Sequence, residues 1–510
     1  IPNFTQLKPP PRTHMNRRSY LKKSSLAGIA LTSGFNIENG YGYRGSTDGA
    51  LSDSLEILNL WNKQSPEDAK LFSAIYKALD TNPAASFATV AGDKTVQAIC
   101  QAQGTTHFGG PMLGCLAEDG VKVWLRTTKP ASVEVKLKLG DEEKTYGPVQ
   151  STLESDLTAI IDITGLKPGS VTPYQVLIDG HPIKSPEHAT ITTPQSETGD
   201  KTCITFGTCQ HRWGLGHREL SDTIIKHKPL AMLMYGDVAV QDRRNHFGMH
   251  RADYAMRDFH PAWQNIVCST PVYTSWDDHD YFDNDLSGIP RKYTDKDRRG
   301  VRKVFTQAWN NPYYGLGDEG GGIFQHTRIG PCDVIMTDNR YFRKKNGKHA
   351  FLGPEQMAWL KKTLLACKGP FIIITCGTMW DDQVSDGKDS WGTFDPEGRE
   401  EIFNLIEKHR IPGVLLLSGD RHGARGFKIP RPSGFEFYEF EPASLGGRSG
   451  PPPKKSSWKN QLYGFSDKFA FGEFTFDLSA DDPTVTFRLV EASGEILYAL
   501  TLKRSQLTPS

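Results

Sequence analysis

The chain has 510 residues, 37% of them hydrophobic and 23% charged, with 49 Gly and 32 Pro. That is enough to bury large cores in more than one folding unit, and it excludes a disordered, fibrous or staple-dependent small scaffold. With 60 Lys+Arg against 59 Asp+Glu the formal net charge is +1, which removes the electrostatic case for a protein that coats nucleic acid or an anionic membrane.

At the front of the chain, Arg17 and Arg18 are followed by Tyr20, Leu21, Lys22 and Lys23 and then by the weakly apolar stretch Leu26 to Leu31. The stretch is too short to span a bilayer. Its pattern resembles a bacterial twin-arginine export signal. That reading assigns residues 1–45 to an upstream segment and signal, with Met15 as the natural start. It implies handling by the twin-arginine translocation machinery and a periplasmic or extracellular destination. Because that route carries folded proteins, it also hints at a buried inorganic cofactor. No transmembrane segment and no nucleic-acid partner are expected.

Residues 46–107 read as a helical segment, with Leu55, Leu58, Leu71, Ile75 and Leu79 at helical spacing and Pro83 as a breaker. Over 108–195 the texture changes to short alternating runs, Val121–Arg126, Val133–Leu137, Ala159–Ile163 and Tyr174–Ile178, separated by Gly, Pro and Asp turns. Such spacing predicts a small antiparallel sandwich. Gly165 to Gly169 followed by Tyr174 and Val176 resembles the turn before a late strand of fibronectin type III-like domains. A polar linker then leads to residue 200. Eight cysteines lie at positions 100, 115, 203, 209, 268, 332, 367 and 376, without the close pairing of a zinc knuckle or a disulfide-dense module.

After residue 200, five strongly apolar runs, each suited to a strand buried on both faces, lead straight into polar clusters. Ile204–Phe206 leads to Cys209 and His211, Ala231–Tyr235 to Asp237, Val272–Ser275 to Asp277, Asp278, His279 and Asp280, Val334–Met336 to Asp338 and Arg340, and Gly413–Leu417 to Asp420, Arg421 and His422. Helical stretches lie between them, one opening at Pro354 where the missing N–H loses no helical bond. In layered α/β folds the carboxyl ends of neighbouring strands share one edge, where ligands bind. Thiolate, carboxylate and imidazole groups would therefore converge with guanidinium donors beside them. So many carboxylates at one edge repel and desolvate one another at a cost of several kcal/mol unless cations neutralise them, which predicts at least two metal ions. Each cluster taken singly also fits a turn, a cap or a buried small hydrophobe; the joint pattern carries the argument.

Phe206–Cys209, Gly236–Asp237, Trp276–Asp280 with Asn284 and Asp285, Asp338–Arg343 and Leu417–His422 together resemble the alkaline phosphatase D family of PhoD-like metallophosphatases. The resemblance implies an α/β fold, a layered αββα metallophosphatase domain over 200–507 preceded by the fibronectin type III-like antiparallel β-sandwich. It makes Cys209, Asp237, Asp278, Asp420 and His422 metal ligands, with Asp237 as the bridge. It gives His279 the leaving group and Arg340 and Arg421 the phosphate oxygens, and makes His211 and Asn284 candidates for a metal or phosphate contact. Iron and calcium are implied by the resemblance, with zinc or manganese as the alternatives. One position departs from the pattern: family members commonly carry a metal-binding tyrosine three residues after the bridging Asp, and here it is Val240, with Asp242 the carboxylate at hand to replace it.

The expected activity is metal-dependent hydrolysis of a phosphate ester, mono- or diester, by an activated water. Two other readings stay open: a degenerate exported binding protein on a phosphatase fold, and a hydrolase of another tetrahedral oxyanion ester. The stretches Gly315–Gly322 and Gly446–Lys455 are loops, either at the site mouth or plain surface connections.

Overall fold

The computed structural model describes residues 49–510 apart from 185, 187, 196–200, 383–389 and 451–457, and all side chains in that range except that of Thr393. The arginine pair and the whole of 1–45 lie outside the described residues. Four helices come first, Leu51–Leu58, Pro66–Leu79, Phe87–Gly92 and Lys94–Gln103. Ser65 caps the second, accepting from the Asp68 N–H at 3.0 Å with Pro66 at the first helical position. Its buried face, with Leu71, Phe72, Ile75 and Leu79, shares a core with Met249, Ala252 and Met256 of the later helix Phe247–Phe259.

Two antiparallel sheets follow. Strands β1 (His107–Ala117), β2 (Gly120–Thr127) and β5 (Thr158–Ile163) form one, in the order β1-β2-β5. Strands β3 (Ala131–Leu139), β4 (Glu142–Ser151), β6 (Val171–Ile178) and β7 (His181–Pro182) form the other, in the order β4-β3-β6-β7, with β8 (Thr190–Thr192) paired to β6. Along β3 every second side chain, Ala131, Val133, Val135 and Leu137, is buried, the period-2 signature of a half-covered strand. β1 was not legible as a strand: its glycines and Pro111 break the alternation, and its pairing with β2 shifts register three times.

The remainder is built on two larger sheets. The first runs β11 (Val272–Ser275), β10 (Ala231–Tyr235), β9 (Thr202–Gly207), β19 (Ala470–Asp477), β20 (Thr484–Glu491), β21 (Ile496–Lys503). In it β9, β10 and β11 are parallel, and β19 closes antiparallel on β9. The second runs β12 (Gln325–Ile329), β13 (Cys332–Met336), β14 (Phe371–Thr375), β15 (Val414–Leu417), β17 (Glu436–Glu441), β16 (Ala424–Pro430), β18 (Gln461–Phe465), with β13, β14, β15 and β17 parallel.

Side-chain alternation stacks these sheets. Ile204, Phe206, Leu233 and Tyr235 of the first share one core with Val334, Met336, Ile373, Leu415 and Leu417 of the second. Met232 and Met234 point the other way, into a core shared with Leu220, Ile224, Trp263 and Val304 of the covering helices. Ile335, Ile372, Ile374 and Leu416 do the same on the far side, against Met357, Leu360, Ile402 and Phe403. Helix, sheet, sheet, helix is the resulting order of layers. Strands buried on both faces read as continuous apolar runs, which is why they were visible in the sequence. No helix among the described residues is long and apolar enough to cross a membrane.

Candidate metal and catalytic centre

The ends of β9, β10, β11 and β15 meet at one place. Donor atoms of Cys209, His211 and His422 lie within 4.8 Å of one another, as do those of Asp237, Asp278 and His279, and those of Asp237, Asp277, Asp278 and Asp420. Seven of the ten residues singled out from the sequence are therefore gathered: Cys209, His211, Asp237, Asp278, His279, Asp420 and His422. Asp277 joins them as an addition that the sequence did not assign.

The loops that carry these groups adopt backbone that most residues avoid. Cys209, His211, Asp237, Asp420 and His422 have φ of 54°, 50°, 54°, 73° and 63°. A non-glycine residue in this left-handed region costs of order 1–3 kcal/mol and persists where the surroundings over-determine it. Here they do. The Cys209 N–H donates to Gly236 O at 3.1 Å and the His211 N–H to Asp237 O at 2.7 Å, locking the β9 loop to the β10 loop. Gly236, at φ 110°, permits this approach, since a Cβ there would stand 2.6 Å from Asp277 Cβ.

A second set of buried groups orders the first. The Asp280 carboxylate accepts from the backbone N–H groups of Val238, Ala239 and Val240 at 3.2 to 3.3 Å, wrapping the segment after Asp237 around a single anion. Asp253 takes Arg243 in two hydrogen bonds of 2.7 Å and lies 3.0 Å from Arg212 Nε, so one buried carboxylate holds the residues after both His211 and Asp242. Gln241 bridges the two imidazoles, its Oε1 2.7 Å from His211 Nδ1 and its Nε2 2.8 Å from His279 Nδ1. None of these supports carries a sequence signal of its own, because each depends on side chains 10 or more positions apart or on backbone N–H groups.

Val240 brings no donor atom to the centre, and Asp242 contacts His279. Val240 is wholly buried and apolar, and Asp242 belongs to none of the donor groups: its Oδ1 lies 2.6 Å from His279 Nδ1 and accepts the Asn284 N–H at 3.1 Å. Asp242 is placed to orient His279. Asn284 itself is exposed and touches the network through its backbone. Arg340 is only 1% exposed, with its Nε bonded to Asp277 and its terminal nitrogen 3.6 Å from Asp278; it lies beneath the carboxylates. Arg421 lies near the surface, 3.5 Å from Asp420, with its N–H held by Glu441 at 2.9 Å.

The electrostatics are those of a buried site short of positive charge. Burial, with Asp237 beside it, raises the Cys209 thiol well above its usual range. Burial likewise raises the Asp237 carboxyl, opposed by His279 and reinforced by Asp278 and Asp277. His422 is pushed down to about 3 by burial and by His279, and His211 is lowered by burial and by both neighbouring imidazoles. Against burial, Asp278, Asp237 and Asp242 hold His279 well above the ordinary imidazole value.

Both oxygens of Asp237, Oδ1 of Asp278, Oδ2 of Asp277, Nε2 of His211 and Nδ1 of His422 are buried without a hydrogen-bond partner among the described residues. Buried polar atoms left unpaired cost about 1–3 kcal/mol each. Six at one point, all of ligand type, fit cations as the missing partner.

A model of the PhoD-like phosphatases matches residues 232–488, from β10 to β20. The chain belongs to the PhoD-like phosphatase family. Residues 106–197, the two antiparallel sheets, match a separate domain of unknown function, DUF7800. Alkaline phosphatase D of Bacillus subtilis (strain 168) is 22% identical over 216 residues, an alignment that spans 37% of this chain and only 36% of that relative. The solved structure of PhoD superposes with a TM-score of 0.62 at 16% identity, covering 78% of this chain and 89% of the other, a likeness of fold. A dimetal phosphatase from Danio rerio matches at a TM-score of 0.38 and 11% identity over 59% of this chain and 99% of its own, too distant to carry weight. For this PhoD-like chain, the family match covers Asp237, Asp278, His279, Asp420 and His422, while Cys209 and His211 precede it.

Proposed function

We propose that this protein is a metal-dependent phosphoric ester hydrolase, exported by the twin-arginine route and acting on phosphate mono- or diesters in the periplasm or outside the cell. The observation that supports it most is the six unpartnered buried donor atoms at the joined strand ends. The Cys209, His211 and His422 set, a thiol and two imidazoles, suits iron or zinc. The Asp237, Asp277, Asp278 and Asp420 set offers only oxygens and suits calcium or manganese. Bound cations would neutralise the phosphoryl oxygens and acidify water.

The chain's own residues do the rest. Asp242 accepts from Nδ1–H of His279, which leaves Nε2 to pass a proton to the departing alkoxide oxygen. Arg340, bonded to Asp277 and close to Asp278, fixes the orientation of two carboxylates and acts as a positioning residue. Arg421 stands at the surface beside Asp420, placed to meet phosphate oxygens with planar donors. The antiparallel sheets over 108–195 form a fibronectin type III-like sandwich in this reading, after a helical segment over 46–107 and before a catalytic domain over 200–507. Export rests on the arginine pair and its apolar follower alone.

The test is elemental analysis of the purified full chain, alongside hydrolysis of p-nitrophenyl phosphate and bis-p-nitrophenyl phosphate with and without chelator. Two or more equivalents of metal with chelator-sensitive cleavage are expected, and the ratio of the two rates assigns mono- or diesterase. Metal without cleavage would favour the binding-protein reading or another oxyanion ester; absence of metal would sink the proposal.

A further inference from the structure

We infer that Arg448 is a further guanidinium, beside Arg421, that grips the anionic oxygens of the substrate's phosphoryl group, an inference that rests on the phosphate-ester reading above. Arg340, assigned that role on the resemblance, is buried and bonded to Asp277, with Asp278 beside it. Arg421 stands beside Asp420. Arg448 is exposed, and no carboxylate pairs with it among the described residues. Among the described residues, no carboxylate holds its guanidinium back from a ligand.

Its backbone is held in place by the metal-type loops themselves. Ser444 Oγ accepts the N–H groups of Gly447 and Arg448 at 2.9 and 3.0 Å and donates to Cys209 O at 2.7 Å, so that one hydroxyl spends its full capacity of two acceptor positions and one donor on this turn. The Ser444 N–H donates to His422 O at 3.1 Å, tying the same turn to the other donor loop. Glycines at 447 and 450 let the chain close down. A Cβ on Gly447 would lie 2.3 Å from Gln210 O and 2.6 Å from Cys209 O, and one on Gly450 would lie 2.4 Å from Arg421 O. Residue 448 is therefore suspended between the Cys209 and Arg421 loops.

A guanidinium carried on a turn between two donor loops is suited to an incoming tetrahedral oxyanion, which it meets with paired N–H groups.

The experiment compares metal-loaded full-length protein with R448A, R448K and, as a charge-matched control on exposed Lys138 of β3, K138A. KM for p-nitrophenyl phosphate and the inhibition constant of inorganic phosphate are measured, with metal content and calorimetric titration of inorganic phosphate on each. A charge-assisted contact of this kind is expected to raise KM and the inhibition constant about ten- to a hundredfold in R448A, with recovery in R448K, no change in K138A and full metal in all. Unchanged KM and phosphate affinity in R448A would overturn the assignment, and so would a rise accompanied by metal loss, which would make the turn a structural support of the ligands. If the parent protein cleaves no ester, the phosphate-ester reading fails, while equal or unequal phosphate affinity of parent and R448A still decides the role of Arg448.

Discussion

Two clusters of histidine, aspartate and cysteine lie among the described residues, and they differ in what surrounds them. One is the centre at the strand ends, with Cys209, Asp237, Asp278 and their neighbours. The other joins His326, Asp333 and Cys367, whose donor atoms also lie within 4.8 Å of one another. In the second, Asp333 is already satisfied: Oδ1 lies 2.9 Å from His326 Nε2, and Oδ2 accepts from the N–H groups of Lys368 and Gly369 at 2.9 and 2.6 Å and from Arg328 at 3.4 Å. None of its three residues has a positive φ. The first cluster has strained backbone and orphaned donors; the second has neither. Residue types bring both to notice, but unpartnered buried donor atoms set the first apart.

Substitutions can break or sharpen this contrast. The largest effect is expected at Asp237→Ala, which removes a carboxylate shared by two donor groups: bound metal and ester hydrolysis should be lost together, as read by elemental analysis and turnover. In His279→Ala the metal should stay while kcat falls by roughly two to four orders of magnitude. That loss should be greatest for esters with poor leaving groups; an equal loss for good and poor ones would remove the proton-donor role.

Asp280→Asn tests the supports. With the carboxylate that gathers the 238–240 N–H groups weakened, metal affinity or activity should drop about 10- to 100-fold, measured by competition with a chelator. Unchanged affinity would mean that the loop holds its shape without this anion.

The smallest effect on function is expected at Asp333→Asn, with metal content and turnover unchanged and a loss of about 1–3 kcal/mol in urea unfolding. The sign of its pH dependence follows from the ion pairs. Although burial opposes it, His326, the Gly369 N–H and Arg328 hold the Asp333 carboxyl below its ordinary value. The stability it contributes is therefore fully present above the unfolded carboxylate's titration and is lost as pH falls through the lower folded one. In the Asn variant that acid-side decline should shrink. Metal bound at His326 in the parent protein would erase the contrast altogether.

How much was legible follows from the range of each interaction. The strands feeding the centre were read from continuous apolar runs, because burial on both faces leaves no polar alternation. The same logic missed β1, whose glycines and register shifts conceal it. At the site, the ligand-type residues were read because each stands within a few positions of its strand end. The supports were not: Asp253 acts on Arg212 from 41 positions away, and Ser444 reaches Cys209 from 235. The contacts of Arg340 with Asp277 and of Asp242 with His279 were not legible for the same reason, since a guanidinium or carboxylate shows its partner only when the chain is folded.

By itself, the sequence determined which groups stand at the strand ends, and through them the family, because short-range pattern and residue chemistry are local properties. Tertiary structure alone decided which of those groups are left without partners and which arginine is buried against the carboxylates. Those outcomes depend on desolvation and on contacts between loops far apart in the chain, and they exist only when two sheets are stacked with their carboxyl ends together.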